Sequence, residues 1–303
     1  MLEPRRIRGA LLGLAVGDAL GAPLEGSSPD RAAQAVERGL EMTGGGAWEP
    51  GEWTDDTSLA LCLAESIAAR GLLDTADVAG RYIDWARTGK GIGRTTRAAL
   101  RGAANDADAR AQAEDFYRQT GLAAGNGTVM RAAPIGLAAT SLEEAVWAAH
   151  EDARLTHFDP AAGAASAALC AALLATGGRS GASPLDAAAA QAGGHPKLEQ
   201  VLEAVWTRDH DLIAGLAGGA EPGACWTTLG VGLYTLLTAP DYERGVLWAI
   251  SLGGDTDTNA AVAGALLGCR HGPDSIPARW LAPLRERDRI ERVAGDLANR
   301  SPE

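Results

Sequence analysis

Glycine recurs at Gly9, Gly13, Gly17 and Gly21, through the apolar run 7–20. A step of four places all of them on one face of a helix. Each glycine in a helix interior costs about 1 kcal/mol relative to alanine, so that face is predicted to lie against another backbone. The rest of the chain agrees with close packing of helices. Aromatic residues make up only 5% of the sequence, and Ala, Leu and Val carry the apolar share instead. Alternation of β-branched and polar residues is nearly absent, so no strand is predicted.

Helix signals are frequent. Ser28-Pro29-Asp30 is an N-cap followed by Pro at the first helical position. Ser141 with Glu144 reads as a capping box, and Asp159-Pro160 opens a further helix. Helices are predicted over residues 7–20, from 29 onward, and over 57–70, 74–87, 141–151 and 160–176. More follow at 184–192, 196–207, 226–237, 242–251, 258–269 and 283–299. Gly-rich loops are predicted at 42–51, 89–93, 121–127, 177–181 and 215–223. No linker marks a boundary, and no repeat of roughly 30–50 residues suggests a solenoid. Residues 1–303 are therefore read as one compact all-α, multi-helix domain.

With 27 basic and 39 acidic residues the net charge is −12. That balance argues against tracking a nucleic-acid backbone or an anionic membrane, and suits a cation site. Cys62, Cys170, Cys225 and Cys269 form no C-x-x-C pair, so buried reduced thiols are expected rather than zinc or disulfides. The N-terminus has basic residues before an apolar run, as a signal peptide does, but Asp18 interrupts the run. No stretch reaches the roughly 18 apolar residues of a spanning helix, so a cytoplasmic protein away from membranes is expected.

Two segments about 200 residues apart are alike. Thr54-Asp55-Asp56-Thr57 precedes one small-residue helix, and Asp255-Thr256-Asp257-Thr258 follows Gly253-Gly254 and precedes another. One such start is explained by N-capping and by acids meeting the helix dipole. The pair is harder to explain that way, because clustered carboxylates repel unless a cation lies between them. Oxygen donors without Cys or clustered His select Mg²⁺, Mn²⁺ or Ca²⁺, and two motifs with two Asp each suit a two-metal site.

With three further stretches, these motifs resemble the ADP-ribosylglycohydrolase family. Gly9-Ala10-Leu11-Leu12-Gly13 with Gly17-Asp18-Ala19-Leu20-Gly21-Ala22-Pro23-Leu24-Glu25 is similar to its opening helix and glutamate loop. Gly125-Asn126-Gly127-Thr128-Val129-Met130-Arg131-Ala132-Ala133-Pro134 resembles its G-N-G-x-x-M-R-x-x-P loop, and Thr156-His157-Phe158-Asp159-Pro160 its T-H-x-D-P segment. The five strings occur in family order along almost the whole chain.

The resemblance implies an all-α fold with a central cleft, two Mg²⁺ or Mn²⁺ ions, and hydrolysis of the bond between ADP-ribose and an acceptor. It implies Thr54, Asp55 and Asp56 as ligands of one metal, and Asp255, Asp257 and Thr258 as ligands of the other. It implies Glu25 on a mobile loop beside the metals, with Glu25 or Asp56 orienting or deprotonating the attacking water. Substrate contacts are implied at Asp55, Gly125, Asn126, Gly127, Thr128, Met130 and His157. The partner would be an ADP-ribosylated protein or a small molecule containing ADP-ribose, with nucleic acid only as a modified substrate, and the protein a monomer.

The residues themselves leave several choices open. The backbone N–H groups of 125–128, ahead of an apolar helix, can cradle phosphate or form an ordinary glycine-rich cap. Arg131 reads as a structural ion pair more readily than as a phosphate ligand. Trp226 reads as core more readily than as an adenine platform. Asp84 cannot be assigned, and His150, His195, His210 and His271 have no constellation around them. A two-metal phosphohydrolase cutting a nucleotide pyrophosphate, and a non-catalytic ADP-ribose binder, are the competing readings.

Overall fold

Side-chain caps open most of the helices. Ser28, Thr54, Asp74, Asn105, Ser141, Asp159, Ser183, Asp209 and Asp241 each accept a hydrogen bond from a backbone N–H in the first turn. In this computed structural model, which describes residues 2–122 and 124–300, the first half comprises α1 (Pro4–Gly21), α2 (Pro29–Glu37), α3 (Asp55–Arg70), α4 (Thr75–Ala86), α5 (Arg94–Leu100), α6 (Asp106–Thr120), α7 (Ala133–Ala138) and α8 (Leu142–Ala153). The second half comprises α9 (Pro160–Thr176), α10 (Pro184–Ala189), α11 (Pro196–Thr207), α12 (His210–Gly215), α13 (Cys225–Thr238), α14 (Tyr242–Ser251), α15 (Thr256–His271), α16 (Ala278–Leu281) and α17 (Arg287–Asn299). Ala123 of the predicted loop 121–127 and the ends of the 1–303 assignment lie outside the described residues. Among the described residues no strand forms, and only isolated bridges occur, Ser27 with Gly254 and Gly125 with Ala224 among them.

The glycine face of α1 meets α15. A Cβ added at Gly9, Gly13, Gly17 or Gly21 would collide with the carbonyl oxygen of Gly268, Gly264, Ala260 or Thr256 respectively. The partners run in opposite order, so the two helices are antiparallel. Gly264 and Gly268 return the contact against the carbonyls of Gly13 and Gly9. The Tyr242 hydroxyl fastens the seam by donating to the Gly13 carbonyl at 2.8 Å. The segment Pro4–Leu24 is long and apolar enough to cross a membrane, yet 89% of its apolar window is buried inside the protein, as in a core helix. Helix α13, α14 and α17 pack around this pair, and α9 lies among α7, α8, α10 and α13, in one compact domain.

Several boundaries differ from expectation. Helices α3 and α15 begin two residues before the predicted 57 and 258, which brings Asp55, Asp56 and Asp257 into first turns. The predicted helix 283–299 begins at Arg287, because Glu286 takes a left-handed φ of 46°; α16 precedes it separately. Helices α5, α6, α7 and α12 carry too little amphipathic pattern to be read from sequence. In α6 only Ala109 and Ala113 are buried, whereas every residue of α7 is. All four cysteines are free and buried; burial pushes Cys62 up to about 11 and Cys170 and Cys269 up to about 12.

Candidate active site

A cleft of about 200 Å³ opens where the starts of α3 and α15 converge. Thr54 caps α3 by accepting from the Asp56 N–H at 3.3 Å. Its hydroxyl in turn donates to Asp56 Oδ2 at 2.9 Å, and Thr258 from α15 donates to the same oxygen at 3.4 Å. Asp255 occupies the N-cap position of α15, but its side chain caps nothing. It turns to the glycine-rich loop, where the Asn126 amide donates to Asp255 Oδ2 and to Thr228 Oγ1, each at 2.9 Å. Asp55 Oδ2 accepts from the Gly93 N–H at 3.3 Å. The capping account suffices for Thr54 and fails for the four aspartates.

Beneath these lies Asp18, an acid from α1 that is fully buried. It accepts from the Thr54 N–H at 2.9 Å, the Thr57 N–H at 3.0 Å and the Thr57 hydroxyl at 2.6 Å. Asp18 thus satisfies the first N–H groups of α3 from a neighbouring helix, the work an N-cap does. Carboxylate oxygens of Asp18, Asp56 and Asp257 come within 4.8 Å of one another. Sequence reading missed Asp18 as a site residue, taking it for an interruption of an apolar helix. The available signal was an acid on a helix whose glycine face has to be buried.

Electrostatically this wall is frustrated. Burial pushes the Asp18 carboxyl up to about 6, restrained by its hydrogen bonds from Thr57 and Thr54. Burial, then the charge of Asp18, pushes Asp55 up to about 7. Asp56 and Asp257 are raised well above the usual carboxylate range, again by burial first and by neighbouring acids second. Oδ1 of Asp56 and Oδ1 of Asp257 are buried without any hydrogen-bond partner. Among the described residues none of these aspartates forms an ion pair. Orphaned buried oxygens, mutual repulsion and an all-oxygen donor set fit a metal cation.

The other wall is built from the loop 125–130 and from His157, in the turn between α8 and α9. The loop is pinned by Asn126 N–H donating to the Gly223 carbonyl at 3.0 Å and Cys225 N–H donating to Ala124 at 2.9 Å. His157 lines the cleft beside Gly125 and Gly127, and burial with the nearby Arg131 charge lowers its ring to about 3. Behind it, Arg131 pairs with Asp152 at 2.9 Å, both fully buried, as the structural reading of Arg131 expected.

The structure brings Glu25, Asp55, Asp56, Gly125, Asn126, Gly127, Met130, His157, Asp255, Asp257 and Thr258 to the cleft. Thr54 lies just behind the lining. Thr128 is a correction: its hydroxyl donates to the Ala162 carbonyl at 3.1 Å, away from the cleft. The phosphate cradle is also corrected in form, since turns over 126–131 separate the loop from α7, which is only six residues long. Glu25 sits at the mouth, its carboxyl raised by partial desolvation and then by Asp255 and Asp18. The resemblance implies a mobile loop here; in the structure the segment is anchored, with Gly26 N–H donating to the Gly254 carbonyl at 2.8 Å and Gly254 N–H to the Ser27 carbonyl at 2.9 Å. Trp226 is not in the lining; it donates to Glu221 at 2.6 Å and stacks on His195. Asp84 is exposed and pairs with Arg87. Arg94, Thr95 and Thr96 of α5, a helix the sequence did not reveal, complete the rim.

Comparison with known proteins agrees with this geometry. The family model for ADP-ribosylglycohydrolase matches residues 2–303. The chain is 32% identical to the ADP-ribosyl-[dinitrogen reductase] glycohydrolase of Rhodospirillum rubrum, over 92% of this chain and 90% of that one. It is 31% identical to the ADP-ribosylarginine hydrolase Tri1 of Pseudomonas putida, over 98% of this chain and 79% of that one. Human ADP-ribosylhydrolase ARH3 is 28% identical over 91% and 88%. A solved structure described as an ADP-ribosylglycohydrolase-related protein complex superposes with a TM-score of 0.76 at 36% identity, covering 97% of both chains. An all-α protein with its acids gathered at helix starts around one cleft is thus a glycosidic-bond hydrolase by class. The chain belongs to the ADP-ribosylglycohydrolase family, whose reaction is hydrolysis of the glycosidic bond to ADP-ribose.

Proposed function

We propose that this cleft holds two divalent cations, Mg²⁺ or Mn²⁺, and releases ADP-ribose from a modified arginine. The observation that carries the metal reading is the pair of buried Oδ1 atoms, on Asp56 and Asp257, that no group among the described residues satisfies. Asp55 and Asp56, with Thr54 beside them, would hold one ion; Asp255, Asp257 and Thr258 would hold the other. Bound there, the metals supply Lewis acidity toward the ribose hydroxyls and lower the pKa of water. Asp18 keeps the start of α3 in place, and Asn126 orients Asp255.

Cleavage at the anomeric carbon develops positive charge in an oxocarbenium-like transition state. Glu25, at the mouth with a raised carboxyl, is suited to take a proton from the attacking water. Gly125 and Gly127 let the substrate approach the backbone closely, with His157 beside them. An arginine acceptor is supported by the relatives named for ADP-ribosylarginine.

The test is a panel of ADP-ribosylated arginine, serine and O-acetyl substrates, with chelator and with Mg²⁺ or Mn²⁺ restored. Expected are release of free ADP-ribose, preference for arginine, and loss of turnover in chelator. Turnover with metal absent by elemental analysis would overturn the metal reading, and a serine preference would overturn the acceptor.

A further inference from the structure

His157 is held from behind by groups whose hydrogen-bond direction is fixed by their chemistry. Arg131 donates from Nε to Asp152 Oδ2 at 2.9 Å and from Nη2 to the Asp152 carbonyl at 2.9 Å. Its Nη1 donates to the Gly127 carbonyl at 3.0 Å and to Thr156 Oγ1 at 2.8 Å. A guanidinium has donors only, so the Thr156 oxygen accepts from it. The same oxygen lies 2.8 Å from His157 Nδ1. Arg131 and His157 are its only hydrogen-bond partners among the described residues.

Two arrangements of the ring proton have to be compared. With the proton on Nδ1, Thr156 Oγ1 would accept twice, and its own buried hydrogen would have no acceptor. With Nδ1 bare, Thr156 donates to it, and Arg131, Thr156 and Nδ1 are all satisfied; buried polar groups strongly favour that condition. Asp152 is fixed in turn by the Tyr82 hydroxyl, which donates to its Oδ1 at 2.9 Å. The neighbouring Arg131 charge opposes a second proton on the ring.

We infer that Arg131 and Thr156 are positioning residues that lock His157 in the tautomer with its hydrogen on Nε2, making it a neutral donor into the cleft. Nε2 faces the glycine loop: a Cβ added at Gly125 would stand 3.2 Å from it, and one at Gly127 would stand 2.9 Å from Cε1. Among the described residues Nε2 forms no hydrogen bond, so its hydrogen is offered to a ligand oxygen of the phosphate or hydroxyl class. The ligand consequence rests on the reading that ADP-ribose occupies the cleft; the tautomer does not.

The test uses protein labelled with ¹⁵N at histidine, with the His157 signals identified by their loss in His157→Asn. Long-range proton–nitrogen spectra distinguish the two tautomers and the imidazolium. Expected is a single pattern with Nε2 protonated, unchanged between about pH 5 and about pH 8, although an ordinary histidine titrates there. Thr156→Val should break the pattern into a mixture and weaken ADP-ribose binding by roughly tenfold, the effect of one lost hydrogen bond. Thr156→Ser should restore both. A wild-type signal with Nδ1 protonated, titration of His157 in that range, or a Thr156→Val protein with unaltered spectra and affinity would each overturn the inference. Failure of wild type to bind ADP-ribose, with the expected spectrum intact, would overturn the ligand reading and leave the tautomer standing.

Discussion

The two walls of the cleft are finished in opposite ways. On the side of α3 and α15, five aspartates crowd together, and among the described residues none has an ion pair and two leave a buried oxygen without a partner. On the side of α8 and α9, Arg131, Asp152, Tyr82, Thr156 and His157 satisfy one another almost completely. The chain alone completes the second wall, whereas the first, on the proposed reading, is completed by cations. On that reading binding energy at the first wall would be shared with ions, whereas geometry at the second is inherited from folding.

The largest expected effect probes the mouth that both walls share. Glu25→Ala should lower turnover by roughly 10²–10⁴-fold, the range of a lost proton-transfer group, with metal occupancy measured on the same preparation. An unchanged rate would reduce Glu25 to a solvated loop residue, and loss of a metal along with activity would make it a ligand. Next, the two walls should respond to truncation with opposite signs. Asp152→Ala leaves a buried guanidinium unpaired and should cost roughly 3–5 kcal/mol of stability in chemical denaturation. Asp257→Asn should instead raise the melting temperature of metal-free protein and remove the increment that Mn²⁺ gives wild type. Equal destabilisation by both variants would erase the distinction.

The smallest effect is the pH dependence of the metal-free protein. Asp18 and Asp55 keep their protons in the folded state up to about 6 and about 7, above their ordinary values. Their contribution is present at low pH and lost as pH rises from about 4 through those values. His157, lowered to about 3, does the reverse: its contribution is present above the ordinary histidine value and lost as pH falls below it. In chelator, Asp55→Asn should lessen the loss of stability between about pH 5 and about pH 8, and His157→Asn should steepen it. Melting temperatures at the two ends of that range decide the point.

How much of this was legible in the sequence depends on how local each signal is. The glycine step in α1 implied a backbone partner, and α15 is that partner. The two acidic helix starts announced themselves by their likeness to each other. Asp18 was hidden because one acid in an apolar run says nothing until the helix beside it is known. Arg131 was readable as a paired arginine, but its partner Asp152 and the relay through Thr156 depend on how α8 packs. The anchor of Glu25 is a bridge to Gly254, nearly a whole chain away, which no local pattern encodes. Helix α6 went unread because it is mostly solvated, and α7 because it is wholly buried.

The seam between α1 and α15 acts as a gauge. From Gly9 to Gly21 it extends about 18 Å at 1.5 Å per residue, and at its end Gly21 rests directly on the backbone of Asp257. Asp18 rides on one bar of this gauge and Asp257 on the other. Side chains that interdigitate can be repacked to a new spacing, but a carbonyl seated against a bare Cα has nothing left to compress. The separation of two of the acids is thus calibrated by residues that meet no ligand. Drift in the outer helices, or substitution among their side chains, leaves that calibration untouched, whereas a single methyl group on the seam would reset it.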